Sequence, residues 1–279
     1  QFDRFWTSLA LSLALMALSG GVPALASCGD EPAPRVDWSS CDKRKLRLKG
    51  NDLADADLSK ADLGGSDLRE AVLAGARLDD AHLGGAVLDG ADLSGADLSK
   101  AELNRASLKR ADLRGANLSG AELGRADLTG AVLAGATLEK AYLGRTTLAG
   151  ADLSGSRLGK ASGPRANLRG ADLSGADLGK SEFGRASFAE ANLSGAQLAH
   201  AYLAYVDLRG AQLRDADLTA VVLYMARLEG TDLSAARGLT QFQLDEACGD
   251  AATVLPDGLT ASGRWPCLDQ PEVGDVGNE

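Results

Sequence analysis

The sequence has few of the large residues that fill an ordinary globular core. Aromatic side chains make up 4% of its 279 residues, and there are only seven Pro, two Met and two His. The interior must therefore be built from smaller side chains. His82 and His200 are 118 residues apart, and the G-x-S-x-G, P-loop and H-E-x-x-H motifs are missing. We therefore expect no catalytic residue, no cofactor and no enzyme activity.

Net positive charge is also missing. The formal net charge is −10 overall and −5 between Leu48 and Leu233, and much of the remaining acid lies in residues 269–279. Domains that bind nucleic acid usually carry clustered excess Lys and Arg. Nucleic acid is therefore disfavoured as a partner.

Cysteine is scarce and confined to the two ends of the chain. Cys28 and Cys41 lie near the start, and Cys248 and Cys267 lie near the end. Four cysteines allow three pairings, and proximity along the chain favours 28–41 and 248–267. In an exported protein each pair would staple one end of the fold. The spacings are too wide for C-x-x-C ligation, and neither histidine is near a cysteine, so no metal site is predicted.

Residues 1–26 have the features of a secretory signal. Arg4 precedes an apolar run from Leu9 to Leu18, and Ala24-Leu25-Ala26 fits the small-x-small pattern of a cleavage site. The expected location is periplasmic or secreted. An alternative is that residues 25–28 form a lipobox, in which case a lipid on Cys28 would hold the protein on a membrane and leave Cys41 without a partner.

A five-residue phrase then repeats from Leu48 to Leu233 without insertion or deletion. Its form is small, polar, Leu, polar, small, as in residues 91–95, and 35 of its 38 central positions hold Leu. A period of five would scatter the Leu around a helix, whereas short extended segments joined by tight bends would direct every Leu inward. Each unit is too small to bury its own Leu, so the units must stack on one another.

These residues resemble the pentapeptide repeat family, whose consensus is A(D/N)LXX. The resemblance implies an all-β fold, a right-handed quadrilateral β-helix with twenty residues per coil. It predicts about nine to ten coils, or roughly 45 Å at about 4.8 Å per coil. We expect a signal peptide over 1–26, caps over 27–45 and 236–268, the β-helix over 46–235, and a disordered acidic tail over 269–279.

The sequence also offers a check on the coil length. Gly163 and Phe183 hold two of the three central positions without Leu, and they are twenty residues apart. If a coil has twenty residues, the Phe183 ring fills the space that Gly163 leaves, as close packing would favour.

The same spacing sorts the outward residues into faces. One face carries a column of Arg and, toward its C-terminal half, all four tyrosines of the chain, and we predict it as the candidate binding face. Its residues are Arg105, Arg125, Arg145, Arg165, Arg185, Tyr142, Tyr202, Tyr205 and Tyr224. The preceding face ends in a column of lysines, namely Lys60, Lys100, Lys140, Lys160 and Lys180.

Two interpretations of this face remain open. Arg and Tyr are enriched at protein interfaces, and Arg can grip an anionic polymer. Alternatively, Glu102, Glu122 and Glu182 neutralise the column in a solvated network of little energetic value. The opposite face carries stacked Asp residues, which we interpret as a feature of the repeat rather than as a calcium site.

The ends of the coil need covering, because they would expose Leu and unpaired strand edges. Trp38 is expected to lie over the first coil. After the repeat, Thr240 is expected to N-cap a helix from Gln241 to Ala247, with Phe242 and Leu244 facing the last coil.

Two functions are compatible with this pattern. The first is a noncatalytic rod of the bacterial cell envelope that contacts a protein or an anionic polymer. The second follows from the resemblance, since some pentapeptide repeat proteins mimic duplex DNA and protect DNA gyrase. The column of Arg and the export signal both count against the second function.

Overall fold

The computed structural model describes residues 27–267. The chain winds into a continuous coil in which each side makes one parallel bridge to the coil below. Consecutive bridges join Asp37 to Asp57, Asp42 to Asp62, Arg47 to Asp67 and Asp52 to Val72, and the same spacing continues along the repeat. Every bridge within the repeat joins residues twenty apart, and four occur per twenty residues. The predicted four-sided coil of twenty residues is therefore present.

Each side of the coil consists of one bridged residue and a tight turn. In residues 91–95 the Leu93 amide donates to the Asp112 carbonyl at 2.7 Å, and the Ala96 amide closes the turn on the Leu93 carbonyl at 3.0 Å. Gly95, at the corner, has a φ of 64°. Five residues per side leave room for a single bridge, so within residues 27–267 the β-structure consists of isolated bridges and not of longer strands.

The interior is a stack of Leu and Ala. Central residues such as Leu93 and Leu113 and the residues two before them, such as Ala91 and Ala111, are at most 1% exposed. The predicted pair follows the same register, since a Cβ atom added at Gly163 would overlap the ring of Phe183. The core is thus one column of small aliphatic side chains that follows the whole axis.

The N-terminal boundary differs from the expectation. The bridges begin at Asp37, so the coil starts about ten residues before 46. Trp38 does not lie over the first coil but occupies an inward position within it, and it is 1% exposed. Lys43 takes the next inward position, where its Nζ lies 3.6 Å from the Trp38 ring centroid and donates to the Cys28 carbonyl. The face of the Trp38 ring and the Cys28 carbonyl stabilise the Lys43 ammonium group there. The first coil can hold Trp38 and Lys43 in place of Leu because no other coil precedes it.

The C-terminal end is closed by one short helix, α1, which spans Gln241–Asp245. The predicted N-cap is correct, because Thr240 and Gln243 form a reciprocal capping box. The expected extent to Ala247 was too long. Two residues of this segment were expected to face the last coil. Leu244 is buried as predicted, but Phe242 is 75% exposed, so that part of the prediction was wrong. Gln243 turns inward instead, and its amide donates to the carbonyls of Leu218 and Val221 at 3.0 Å.

The signal peptide predicted over 1–26 and the tail predicted over 269–279 lie outside the described residues. Between residues 27 and 267, no helix is long and apolar enough to cross a membrane.

Candidate binding face

The candidate binding face, called here the Arg/Tyr face, is one side of the coil. Its midline follows the bridges from His82 through Tyr142 to Val222. The two flanking corners carry basic residues. One, the Lys corner, includes Lys140, Lys160 and Lys180, and the other, the Arg corner, consists of Arg105, Arg125, Arg145, Arg165 and Arg185. Amide-to-carbonyl hydrogen bonds of 2.9 to 3.0 Å join each coil to the next at the Arg corner, which stacks the five residues.

All four corners of the coil require a left-handed backbone, which normally favours glycine. Two corners do use glycine over long runs, from Gly75 to Gly195 at one and from Gly130 to Gly170 at the other. The two corners that flank the Arg/Tyr face instead hold Lys and Arg at φ angles of 58° to 62° in residues 125–185. Strained, charged corners are therefore concentrated around one face. The sequence pattern alone did not reveal this, because the φ angle is needed to recognise it.

The side chains of the Arg corner make no ion pair or hydrogen bond with any other residue of 27–267. Arg elsewhere behaves differently. Arg44, Arg69 and Arg114 each pair with the Asp two residues earlier on the same side. The five residues of the Arg corner have no Asp two residues earlier. Their backbones are stacked at the spacing of the coils, about 4.8 Å, and their guanidinium groups are available to an external group.

The neutralising network that the sequence allows is not formed. Glu102 contacts His82 instead, with 2.9 Å between the carboxylate Oε2 and Nδ1. This hydrogen bond raises the pKa of His82. Glu122 accepts from the Asn104 amide at 3.0 Å, and Glu182 makes no ion pair with another described residue. The midline acids therefore leave the Arg corner uncompensated at short range.

The tyrosines lie against the coil. A Cβ atom added at Gly124 would come within 3.1 Å of Tyr142 Cε1, and one at Gly144 would overlap the same ring. Tyr202 covers Gly184 in the same way, at 3.1 Å. Both rings remain nearly half exposed, at 47% and 46%. Glycine under each ring lets one side of the ring pack on the backbone while the other side meets solvent.

Tyr205 and Tyr224 form a separate aromatic pair at the C-terminal end of this face. Their ring centroids are 5.4 Å apart with an interplanar angle of 87°. The Arg185 guanidinium carbon lies 5.1 Å from the Tyr205 centroid. Tyr205 takes the next position of the Arg corner after Arg185 and gives this last guanidinium group a cation–π contact. The structure therefore places all nine predicted residues on one face, and Tyr224 lies at its C-terminal end.

The stacked Asp residues of the opposite face are engaged by the backbone. Asp92, Asp152 and Asp172 each accept a hydrogen bond from the amide two residues later, at 2.9 to 3.0 Å. Each of these carboxylates completes a turn, as Asx turns do. Their regular spacing is explained by the repeat, and it requires no bound cation.

Both disulfides expected from proximity are present, Cys28–Cys41 and Cys248–Cys267. Lipidation of Cys28 would use the same sulfur, so the disulfide-bonded chain cannot carry that lipid. Within 27–267, Cys248, Cys267 and Glu229 are the residues whose potential ligand atoms lie within metal-binding distance of one another. The disulfide withholds the two thiolates that a metal would need.

The chain belongs to the pentapeptide repeat family. The family model for pentapeptide repeats matches residues 52–90, 91–130, 126–162, 166–201 and 196–234. These segments cover most of the coil described above. No curated protein matches the chain.

The chain is also similar to several solved structures. The chain is 34% identical to HetL of Nostoc sp. strain PCC 7120, a pentapeptide repeat protein involved in heterocyst differentiation regulation, and the match covers 78% of this chain and 93% of HetL with a TM-score of 0.44. A pentapeptide repeat protein of the Arabidopsis thaliana thylakoid lumen is 24% identical over 43% of this chain and 83% of its own, with a TM-score of 0.37. The fluoroquinolone resistance protein QnrB1 is 16% identical over 79% and 86%, with a TM-score of 0.35.

Proposed function

We propose that this chain is a noncatalytic binding rod of the bacterial cell envelope, which holds a protein or an anionic polymer on its Arg/Tyr face. The observation that carries the proposal is the Arg corner, five stacked Arg side chains that make no ion pair or hydrogen bond among residues 27–267. Guanidinium groups recognise carboxylate and phosphate through paired hydrogen bonds. A row of them favours an extended anionic surface over a small molecule.

The backbone of the Arg corner supports a selected role for these residues. A side chain in the left-handed region costs roughly 1 kcal/mol relative to glycine, and glycine holds the equivalent position of two other corners over long runs. Five Arg that make no ion pair or hydrogen bond therefore make the fold less stable than glycine would. Such strain is a common property of functional sites.

The rest of the molecule fits a passive role. Within residues 27–267 the Leu and Ala side chains fill the interior along the axis, so the coil itself encloses no cleft for a small substrate. Nine to ten right-handed coils would give a rod roughly 45 Å long. Two disulfides are compatible with an oxidising compartment, and the signal predicted over 1–26 points in the same direction.

A pull-down from envelope extract tests the proposal. The native rod is compared with a variant in which the five residues of the Arg corner are changed to Glu. The matched control reverses five basic residues on the other faces, Arg47, Lys49, Lys109, Arg110 and Arg214, and thus has the same total change in charge. We expect the native rod and the control to capture the same partner and the Arg-corner variant to lose it. Equal capture by all three proteins would reject the Arg/Tyr face.

Cell fractionation tests the location independently. Protein in the periplasmic or secreted fraction with both disulfides formed agrees with the proposal. Protein in the cytosol with reduced thiols would contradict it and would favour the alternative of an acidic DNA mimic that binds DNA gyrase or another topoisomerase.

A further inference from the structure

We infer that the partner of the Arg/Tyr face is an acidic polysaccharide that lies along the rod axis, with sugar rings stacked on Tyr142 and Tyr202 and its carboxylates paired with the Arg and Lys corners. This inference rests on the proposed function and specifies its ligand. It depends on three features of the face: the position of its charges, the packing of its tyrosines and the regular spacing of its cationic corners.

The charges form two parallel rows. Lys140, Lys160 and Lys180 border one edge of the face, and the C-terminal part of the Arg corner borders the other. The side chains of these lysines make no ion pair or hydrogen bond with another described residue. The midline from Tyr142 to Tyr202 carries one acidic residue, Glu182, which lies between Ser162 and Tyr202. Lys180 and Arg185 flank Glu182 at the two corners of the same side. A linear polyanion along the midline would meet cations on both sides.

The tyrosines supply platforms for rings. Tyr142 and Tyr202 each pack on a glycine and keep nearly half of the side chain exposed. Tyr142 and Tyr202 are three coils apart, or about 14 Å. Sugar rings present C–H groups that stack on the electron-rich face of an aromatic ring, which has negative quadrupole character. The Tyr hydroxyl group can also hydrogen-bond to a sugar.

The spacing favours a polysaccharide over the other polyanions. Successive units of an extended glycan advance by a distance similar to the coil spacing of about 4.8 Å, so one coil can serve one sugar. The nucleotides of an extended strand are farther apart, so they would not match the coils one to one. A folded protein partner would not need cations that repeat at every coil.

Calorimetric titration with a defined ligand tests the inference. The probe is an oligogalacturonate long enough to span the face, and the matched control ligand is its fully methyl-esterified form, which keeps the sugars and lacks the charges. We expect the native protein to bind the acidic form, to bind it less tightly as salt rises, and to bind the ester at least about tenfold more weakly, because each charged hydrogen bond is worth more than a neutral one.

Single substitutions separate the two contributions. Arg145→Gly should weaken binding about tenfold, whereas Arg110→Gly, which changes an exposed Arg of the same backbone conformation on another corner, should not. Tyr142→Leu should weaken binding about fivefold, and Tyr142→Phe should retain most of it. Gly144→Ala leaves the tyrosine in place but displaces its ring, and it should reproduce the loss seen for Tyr142→Leu.

Three results would overturn the inference. The first is equal binding of the acidic oligosaccharide and its ester, and the second is unchanged binding by Tyr142→Leu. The third is tighter binding of oligothymidylate or polyphosphate than of oligogalacturonate, which would assign the face to another polyanion. If the Arg-corner variant loses the pull-down partner and oligogalacturonate does not bind, the proposed function stands and the polysaccharide is rejected. If all three proteins capture equally in the pull-down and oligogalacturonate does not bind, the proposed function and the polysaccharide are both rejected.

Discussion

The ring of Phe183 occupies the place that a side chain at position 163 would take. A Cβ atom added at Gly163 would overlap the Cε1 atom of this ring, and Phe183 itself is fully buried. The ring also meets Phe188 edge to face, with 5.4 Å between the centroids. Gly163 and Phe183 together fill the volume that two Leu residues fill elsewhere in the stack, which explains why both depart from Leu.

We predict that Gly163 and Phe183 are energetically coupled. Phe183→Ala should lower the free energy of unfolding by roughly 3 to 5 kcal/mol because it opens a cavity. Gly163→Leu should lower it by at least about 1 to 3 kcal/mol because the new side chain overlaps the ring. Chemical denaturation of both variants and of Phe183→Leu measures these effects.

The double variant Gly163→Leu/Phe183→Leu is the decisive one. It restores the pair of Leu residues found elsewhere in the stack, so its free energy of unfolding should be close to that of the native protein. Gly163→Leu alone and Phe183→Leu alone should each lower the free energy of unfolding. Additive losses in the double variant would mean that the two residues do not share one space.

The Arg corner should trade stability for binding. We predict that Arg145→Gly raises the free energy of unfolding by about 0.5 to 1 kcal/mol, net of the greater unfolded-state entropy of glycine, because Arg145 has a φ of 58°. Arg145→Ala keeps the Cβ atom and should not stabilise the protein. Thermal melts of the two variants test this, and an equal melting temperature for both would contradict the role of backbone strain.

Each disulfide should protect its own end of the rod. The Cys248–Cys267 bond closes a separation of 19 residues and the Cys28–Cys41 bond one of 13, and each should contribute roughly 3 kcal/mol. Because each coil contacts only its neighbours, the effect should be local. Hydrogen exchange of a Cys248→Ser/Cys267→Ser variant should rise in the last coils and stay unchanged in the first coils.

The Cys28→Ser/Cys41→Ser variant provides the mirror control, with faster exchange in the first coils only. Uniformly faster exchange along the chain in either variant would indicate that the rod unfolds as one unit, contrary to the prediction.

The contact between His82 and Glu102 predicts a small pH dependence. The hydrogen bond raises the pKa of His82 in the folded protein, so its contribution to stability is present below the unfolded pKa of about 6.5 and is lost as the pH rises through the folded pKa. Both side chains are about half exposed, which limits the contribution to about 0.5 kcal/mol or less.

An NMR titration of the two histidines gives the direct measurement. Glu102→Gln should lower the pKa of His82, because it removes the charged hydrogen-bond acceptor. A His82 pKa that does not respond to this substitution would exclude the hydrogen bond as the cause.

The sequence predicted the register of the coil well, because one geometric rule governs it. Residues twenty apart are bridged, so the stacking of Gly163 against Phe183 and of Arg105 against Arg125 on successive coils followed from counting. The ends were predicted less well. Trp38 and Lys43 stand at inward positions where the repeat normally has Leu, and their role was clear only when the bridge from Asp37 placed them inside the coil.

The state of the Arg corner could not be predicted from the sequence. Glu102, Glu122 and Glu182 are close to these Arg residues along the chain, and an ion-pair network was a reasonable alternative. In the structure Glu102 contacts His82 and Glu122 accepts from the Asn104 amide instead. Sequence separation alone does not specify which partner a side chain takes.

The sequence by itself determined the coil, its twenty-residue period and the faces on which its residues lie, because a five-residue unit can bury its Leu only by stacking. Only the tertiary structure decided which charges are paired and which are free, and where the tyrosine rings rest. Those properties depend on the direction of each side chain and on the glycines of the neighbouring coil, such as Gly124 beneath Tyr142.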